Sequence, residues 1–142
     1  MQLKVTRIDK DLPLPTYQTP GSVAFDISSR IDEIFEPGEI KTVPSNLIIQ
    51  VPESHVLLIA TRSSLAKRGL RLANSVGIID QDYHGPQDEI QILLHNFSRE
   101  QIAIKKNERI AQGLIMPIVR VGWKEVSEIK IESRGGLGST GK

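Results

Sequence analysis

The sequence contains no cysteine, and this absence excludes disulfide bonds and thiolate zinc sites. The three histidines, His55, His84 and His95, do not have the i, i+4 spacing of a helical pair of metal ligands. Neither sign of charge is in large excess, since 18 Lys and Arg against 17 Asp and Glu leave a net charge of +1. A broad basic surface for nucleic acid is therefore not expected.

Long apolar runs are missing as well, because no stretch approaches the roughly 18 apolar residues of a membrane span. The first residues, MQLKVTRIDKDL, carry charges too early for a secretory signal. We therefore expect a cytoplasmic protein with neither a membrane nor a nucleic acid as partner. The chain has 142 residues, of which 39% are hydrophobic and 25% charged, a composition typical of one compact domain.

Hydrophobic residues alternate with polar or small ones along much of the chain, which indicates half-buried β-strands. The inward positions are Val23, Phe25 and Ile27, then Leu47, Ile49 and Val51, then Ile90, Ile92 and Leu94, and finally Ile102 and Ile104. Turn signals such as EPGE, VPSN, VPES and KKNE separate these runs at intervals that suit short antiparallel strands. The pattern predicts an all-β sandwich, jelly roll or barrel.

One segment, SSLAKRGL, predicts a helix longer than a single turn. Ser63 or Ser64 can cap its N-terminus, and Gly69 can end it. The surrounding stretch TRSSLAKRG also combines Arg62 and two hydroxyls with the free N–H groups of a helix start, which together can bind an anion. The alternative is that the serines only cap the helix and Arg62 is a surface charge.

In the stretch NSVGIIDQDYHG, Asp80 and Asp82 lie at a predicted turn that directly follows the apolar residues VGII. A carboxylate in such a place is a candidate general base or metal ligand, although an ordinary Asp-rich turn is an alternative. Tyr83 can pack against the protein or form a platform for a sugar or base.

Two further stretches carry polar residues that are only weak evidence of a functional site. VAFDISS places Asp26 on the polar side of a strand, where exposure to solvent is the default expectation. NERIAQGL places Arg109 and Gln112 three residues apart, a spacing that an edge strand also explains.

The last seven residues, GLGSTGK, fit the spacing G-x-x-x-x-G-K of a phosphate-binding P-loop. A P-loop also needs a Ser or Thr after the lysine, a strand before the glycines and a helix after them. No residue follows Lys142 in the sequence, so we expect these glycines to serve phosphate binding in another way, or not at all.

In combination and in this order, VAFDISS, TRSSLAKRG, NSVGIIDQDYHG, NERIAQG and SRGGLGSTG resemble the five motifs of the trimeric dUTPases. The resemblance covers nearly the whole chain. It implies a jelly-roll-like β-domain over residues 1–133 and a flexible glycine-rich arm, residues 134–142, that covers the phosphates. It also implies a homotrimer with active sites at subunit boundaries, and Mg²⁺-assisted cleavage of dUTP to dUMP and pyrophosphate.

Carried over to this sequence, the resemblance makes Asp80 the carboxylate that activates the attacking water. The residues implied in phosphate contacts are Arg62, Ser63, Ser64, Gln112, Arg134, Gly138, Ser139 and Thr140, with Leu137 covering the base. Asn74 would contact the polar edge of uracil, Tyr83 would pack on the deoxyribose, and Asp26 and Arg109 would support the site. Mg²⁺ would be held mainly by the triphosphate and water rather than by protein ligands.

The sequence departs from the family pattern at three places. Leu137 stands where an aromatic residue is usual, Ser64 where glycine is commoner, and an apparent insertion occupies Pro86 to Glu89.

Because the related dCTP deaminases often have serine at the position of Ser64, a deaminase or bifunctional enzyme is an alternative. That family's catalytic Glu falls at Leu93, however, which argues against deamination. A nucleotide-binding homologue without catalytic activity is a second alternative.

Overall fold

The computed structural model describes residues 2–129, 131–133 and 135. The strands of this part are β1 (Lys4–Arg7), β2 (Phe25–Ser28), β3 (Glu33–Phe35), β4 (Ile40–Pro44), β5 (Leu47–Gln50), β6 (His55–Thr61), β7 (Leu70–Leu72), β8 (Gly77–Ile79), β9 (Gln91–Asn96), β10 (Ile102–Ile104) and β11 (Arg109–Pro117). One short helix, α1, spans Ser63–Lys67. The predicted all-β class with a short helix is confirmed.

The strands form small sheets in which each observed pairing is antiparallel. The sheet orders are β1-β5, β10-β3, β2-β11-β6-β8 and β4-β9-β7. Strands distant in sequence therefore lie side by side, as β2 and β11 do. The alternating pattern predicted β2, β5, β9 and β10, but a local pattern does not indicate which strands lie side by side.

A single hydrophobic core joins these sheets. Each sheet contributes buried side chains to it, and Leu65 adds one from α1. The predicted inward positions are buried except Val23, which is 80% exposed. That prediction is wrong because β2 begins only at Phe25, the first residue of the strand to pair with β11.

Several predicted turns contain residues with a positive φ angle. Gly38 in EPGE has φ 78°, Asn46 in VPSN has φ 72°, Ser54 in VPES has φ 57° and Asn107 in KKNE has φ 67°. Asn is one of the few non-glycine residues that adopt this region readily. The turn predictions at these four places are confirmed.

The two ends of α1 agree only partly with the sequence prediction. Arg62, not a serine, is the N-cap, and no side chain caps the helix. Ser63 and Ser64 are instead its first two helical residues and are exposed. Gly69 follows the C-cap with φ 95°, as expected of a terminating glycine. Over the residues described, we find no helix of the length and hydrophobicity that a membrane span requires.

Gly69 must both adopt a positive φ angle and leave space for Ser98. A matched substitution at Gly38 separates these two requirements. A Cβ at Gly69 would lie 2.5 Å from the Cβ of Ser98, whereas a Cβ at Gly38 would meet nothing within 4 Å. Both residues have positive φ angles. We expect Gly38→Ala to lower the free energy of unfolding by about 1 kcal/mol from backbone strain alone. Gly69→Ala should cost about 1–3 kcal/mol more because of overpacking.

Urea denaturation at one fixed protein concentration measures both values. Equal losses for the two variants would show that the close approach of Ser98 is relieved without cost.

Candidate active site

Strand β11 lies between β2 and β6, and this position assembles polar residues from three distant segments. Gln112 of β11 is opposite Asp26 of β2 on one side and Ala60 of β6 on the other. The alternative explanation of the spacing of Arg109 and Gln112, an edge strand, is therefore excluded. Each flanking strand brings one of the sequence motifs to the same end of this sheet.

Asp26 binds two arginines there. Its Oδ1 lies 2.8 Å from Nε of Arg62, and its Oδ2 accepts a hydrogen bond of 3.0 Å from Nη1 of Arg109. The Asp26 side chain is only 12% exposed, so the default expectation of solvent exposure is wrong. Because both carboxylate oxygens are engaged, Asp26 holds the two guanidinium groups together.

The start of α1 adjoins this cluster. Arg62 Nη1 also donates to the backbone oxygen of Arg109 at 3.3 Å, and Gln112 Nε2 donates to the backbone oxygen of Thr61 at 3.2 Å. Ser63 and Ser64 follow directly and expose their side chains. The result is a polar, positively charged surface at the C-terminal end of β6.

A second group of predicted residues lies in the connection between β7 and β8 and in the loop after β8. Asn74 is exposed in its turn, where its backbone oxygen accepts a 2.7 Å hydrogen bond from the Val76 N–H. Asp80 follows the last residue of β8 and is exposed. Tyr83 is 38% exposed, and its hydroxyl donates to the backbone oxygen of Glu89 at 3.3 Å.

Asp80 lines a cavity of about 490 Å³. Its lining includes Asp82, the second carboxylate of the same motif, and also His55 and Arg120, which were not predicted. His55 comes close through the pairing of β6 with β8, and Arg120 through the pairing of β6 with β11, for which the motifs gave no signal. The cavity thus surrounds the candidate base with further titratable groups.

The structure separates these two groups of residues. Because Ile79 pairs with Leu57, Asp80 lies beside the N-terminal half of β6, whereas Arg62 follows its C-terminal end. From Val56 to Thr61 the strand advances by about 16 Å, at roughly 3.3 Å per residue. One chain therefore does not bring Asp80 to the surface formed by Ser63, Ser64 and Gln112.

The predicted arm lies almost entirely outside the described residues. Arg134, Leu137, Gly138, Ser139 and Thr140 belong to this undescribed part. Their roles remain predictions from the sequence.

The apparent insertion contains a compact turn and a buried charge. Gly85 N–H donates to Oδ2 of Asp88 at 2.6 Å, and the Asp88 N–H donates to the Gly85 oxygen at 3.1 Å. Glu89 is buried and forms an ion pair with Arg30. Glu89 was not predicted to be buried. Its position directly before the alternating run that starts at Ile90 was the feature of the sequence that could have indicated this.

Comparison with known proteins places these residues in a family. The family model described as dUTPase matches residues 10–141. A deoxyuridine 5'-triphosphate nucleotidohydrolase of Dictyoglomus turgidum is 44% identical, over 99% of each chain. A protein of the same name from Nautilia profundicola is 41% identical over the full length of both.

Solved structures give the same result for the fold. The dUTPase of Streptococcus mutans has 28% sequence identity and a TM-score of 0.76, covering 84% of this chain and 98% of that one. A dUTPase of Staphylococcus bacteriophage 80alpha with dUPNHPP has 25% identity and a TM-score of 0.87, covering 99% of this chain and 98% of that one. The predicted jelly-roll-like dUTPase fold is confirmed. Together with the match over residues 10–141, these relatives show that the chain belongs to the dUTPase family.

Proposed function

We propose that this protein hydrolyses dUTP to dUMP and pyrophosphate. The observation that carries this proposal is the family match over residues 10–141, which includes all five motif stretches in order. The relatives named deoxyuridine 5'-triphosphate nucleotidohydrolase, at 44% and 41% identity over nearly the whole chain, support it. Leu93, in place of a deaminase Glu, gives no support to the deaminase alternative.

In this proposal Asp80 takes the proton of the water that attacks the α-phosphorus, in line with the leaving pyrophosphate. Its exposure at the end of an apolar strand supports the role, because a general base must reach both water and substrate. Among the described residues, no ion pair or side-chain hydrogen bond occupies the Asp80 carboxylate. It is therefore free to accept a proton.

The phosphates are proposed to bind where Arg62, Ser63, Ser64 and Gln112 converge. Asp26 supports this surface by fixing Arg62, and Arg109 completes the cluster. A guanidinium group held in one orientation loses less rotational freedom when it binds a phosphate.

Residues 134–142 are proposed to be the arm that covers the triphosphate, beyond a β-domain of residues 1–133. In this arm Arg134 would bind the γ-phosphate, and Gly138, Ser139 and Thr140 would donate hydrogen bonds. Leu137 would cover the uracil by dispersion contact, without the π-face of an aromatic residue.

The nucleoside is proposed to bind at the connection between β7 and β8 and at the loop after β8. Asn74 would pair with the polar edge of uracil, and the Tyr83 ring would leave no space for a 2′-hydroxyl. The exposure of both side chains supports their access to a ligand.

Mg²⁺ is the proposed cofactor, and it would neutralise phosphate charge when bound. Residues 2–129 contain no group of three His, Asp or Glu side chains placed to hold a metal ion. Oxygen atoms of phosphates and water are the ligands that Mg²⁺ commonly uses. The donor set thus suits an ion that arrives with the triphosphate.

We further propose that the protein is a homotrimer whose active sites are shared between chains. The separation of Asp80 from Ser63 and Ser64 along β6 supports sharing, because the reaction needs both groups around one triphosphate. Large apolar side chains exposed after β11 support assembly; they are Val119, Val121, Trp123, Val126 and Ile129. Such a concentration of exposed apolar groups is typical of an interface.

The proposed activity is tested by incubating the protein with Mg²⁺ and each deoxynucleoside triphosphate separately. We expect pyrophosphate release from dUTP, since the family match indicates this reaction. Ammonia release from dCTP would indicate deamination, and the absence of any product would indicate a binding protein.

Asp80→Asn should retain dUTP binding but lower kcat by about 10²–10⁴, because an amide orients water but cannot take its proton. Steady-state kinetics measures kcat, and calorimetry with a non-hydrolysable dUTP analogue measures binding. Asp82→Asn is the matched control in the same turn, with an expected loss below about tenfold. A near-normal kcat for Asp80→Asn would exclude Asp80 as the base.

Shared sites predict complementation between two inactive variants. Asp80→Asn and a variant ending at Ser133 should each have little activity. Unfolding and refolding them together should restore part of it, because some hybrid sites receive Asp80 and the arm from intact copies. Activity of the mixture no greater than the sum of the separate variants would contradict sharing.

A further inference from the structure

The connection from β8 to β9 carries both Asp80 and Tyr83, so its conformation matters to the proposed site. Beside Asp80, Gln81 Nε2 donates a 3.0 Å hydrogen bond to the His55 backbone oxygen of β6. The backbone bonds that follow are local, such as the 3.4 Å hydrogen bond from the Tyr83 N–H to the Asp80 oxygen and the Gly85–Asp88 turn. Neither of these two local contacts ties the loop to the core.

The opposite end of the loop is fixed by Glu89. Its Oε1 and Oε2 accept hydrogen bonds of 2.8 and 2.9 Å from Nε and Nη2 of Arg30, a two-point contact. Oε1 also accepts a 2.7 Å hydrogen bond from the Asn46 N–H. The Glu89 side chain is 11% exposed, so solvent competes little for these contacts.

The partners of Glu89 are themselves fixed. The Arg30 N–H donates to the Pro44 oxygen at 2.8 Å, and the Asn46 side chain exchanges hydrogen bonds with the backbone of Asp9. The hydrogen bond to Glu89 raises the pKa of the Arg30 guanidinium. Glu89 is thus attached to two separate connections of the β-domain.

Tyr83 links this anchor to the nucleoside site. Its hydroxyl donates to the backbone oxygen of Glu89, the residue whose side chain binds Arg30. The far end of the Tyr83 ring is therefore located by Glu89, while its exposed surface remains available to a ligand.

We propose that Arg30 and Glu89 are positioning residues for sugar recognition. The Glu89 carbonyl belongs to the peptide group whose Ile90 N–H donates to the Leu47 oxygen at 2.9 Å. The ion pair fixes the other side of Glu89, and together the two contacts set the carbonyl that holds the Tyr83 ring at the distance that rejects a 2′-hydroxyl. This inference rests on the proposed dUTP site, and it gives a function to the acidic end of the apparent insertion.

Three variants test the inference. Glu89→Gln removes the charge and weakens both bonds to Arg30. Arg30→Lys keeps the charge but loses the two-point geometry, so it remains informative if Glu89→Gln does not fold. Lys41→Met is the matched control, because it removes a partly buried ion pair with Glu33 and Glu39 away from the loop.

The first measurement is kcat/KM for dUTP and for UTP, with pyrophosphate as the product. We expect the preference for dUTP over UTP to fall about tenfold or more in Glu89→Gln, since small displacements of a positioning group have effects of this size. Arg30→Lys should show a smaller fall, and Lys41→Met should show none. A purely structural ion pair would lower the amount of active protein without changing this preference.

The second measurement is hydrogen exchange in the protein without ligand. Peptides covering residues 80–89 should exchange faster in Glu89→Gln than in wild type, relative to peptides of β11 in the same sample. An unchanged loop, or an unchanged preference for dUTP in a folded variant, would overturn the inference. No hydrolysis of dUTP by the wild type would instead refute the proposed function, which separates the two failures.

Discussion

The pairing of β11 with both β2 and β6 is the constraint on which the phosphate side of the candidate site depends. It brings residues 26, 62, 109 and 112 together although they are far apart in the chain. The close fit is visible at Gly113, where a Cβ would lie 2.8 Å from the Phe25 ring and 3.1 Å from Leu57. The absence of a side chain there lets β2, β11 and β6 pack around one core, and the ion pairs of Asp26 follow from that register.

The same sheet also explains why the site is divided. Since β8 is paired with β6 at Leu57 to Ile59, the turn after β8 lies beside the start of β6, away from α1. A rigid strand cannot shorten this distance. In the proposed homotrimer, closure by a second chain would require no distortion of the sheet, and the apolar residues exposed after Pro117 would offer a surface for it.

Local features of the fold could be predicted from the sequence, whereas contacts between distant residues could not. Alternation predicted β2, β5, β9 and β10, Gly38 and Asn46 marked turns, and the helix lay within SSLAKRGL. The burial of Asp26 depends on Arg109, 83 residues away, and that of Glu89 on Arg30, 59 residues away. A local pattern of hydrophobic residues does not indicate such pairs, because the two residues meet only when distant strands associate. The family resemblance gave the candidate residues but not the separation between Asp80 and the serines.

Three carboxylates illustrate how position, rather than residue type, assigns chemical roles. Asp26 and Glu89 each have both oxygens bound to guanidinium groups, and each is shielded from solvent. Their oxygens accept hydrogen bonds from arginine, so they are occupied by protein donors rather than by water. Asp80 is exposed, and within residues 2–129 no side chain binds its carboxylate. Of these three acids, Asp80 is the one whose oxygens remain available to water. The ion pairs of Asp26 hold the separate surface at Arg62, and the ion pair of Glu89 holds the far end of the loop that follows Asp80.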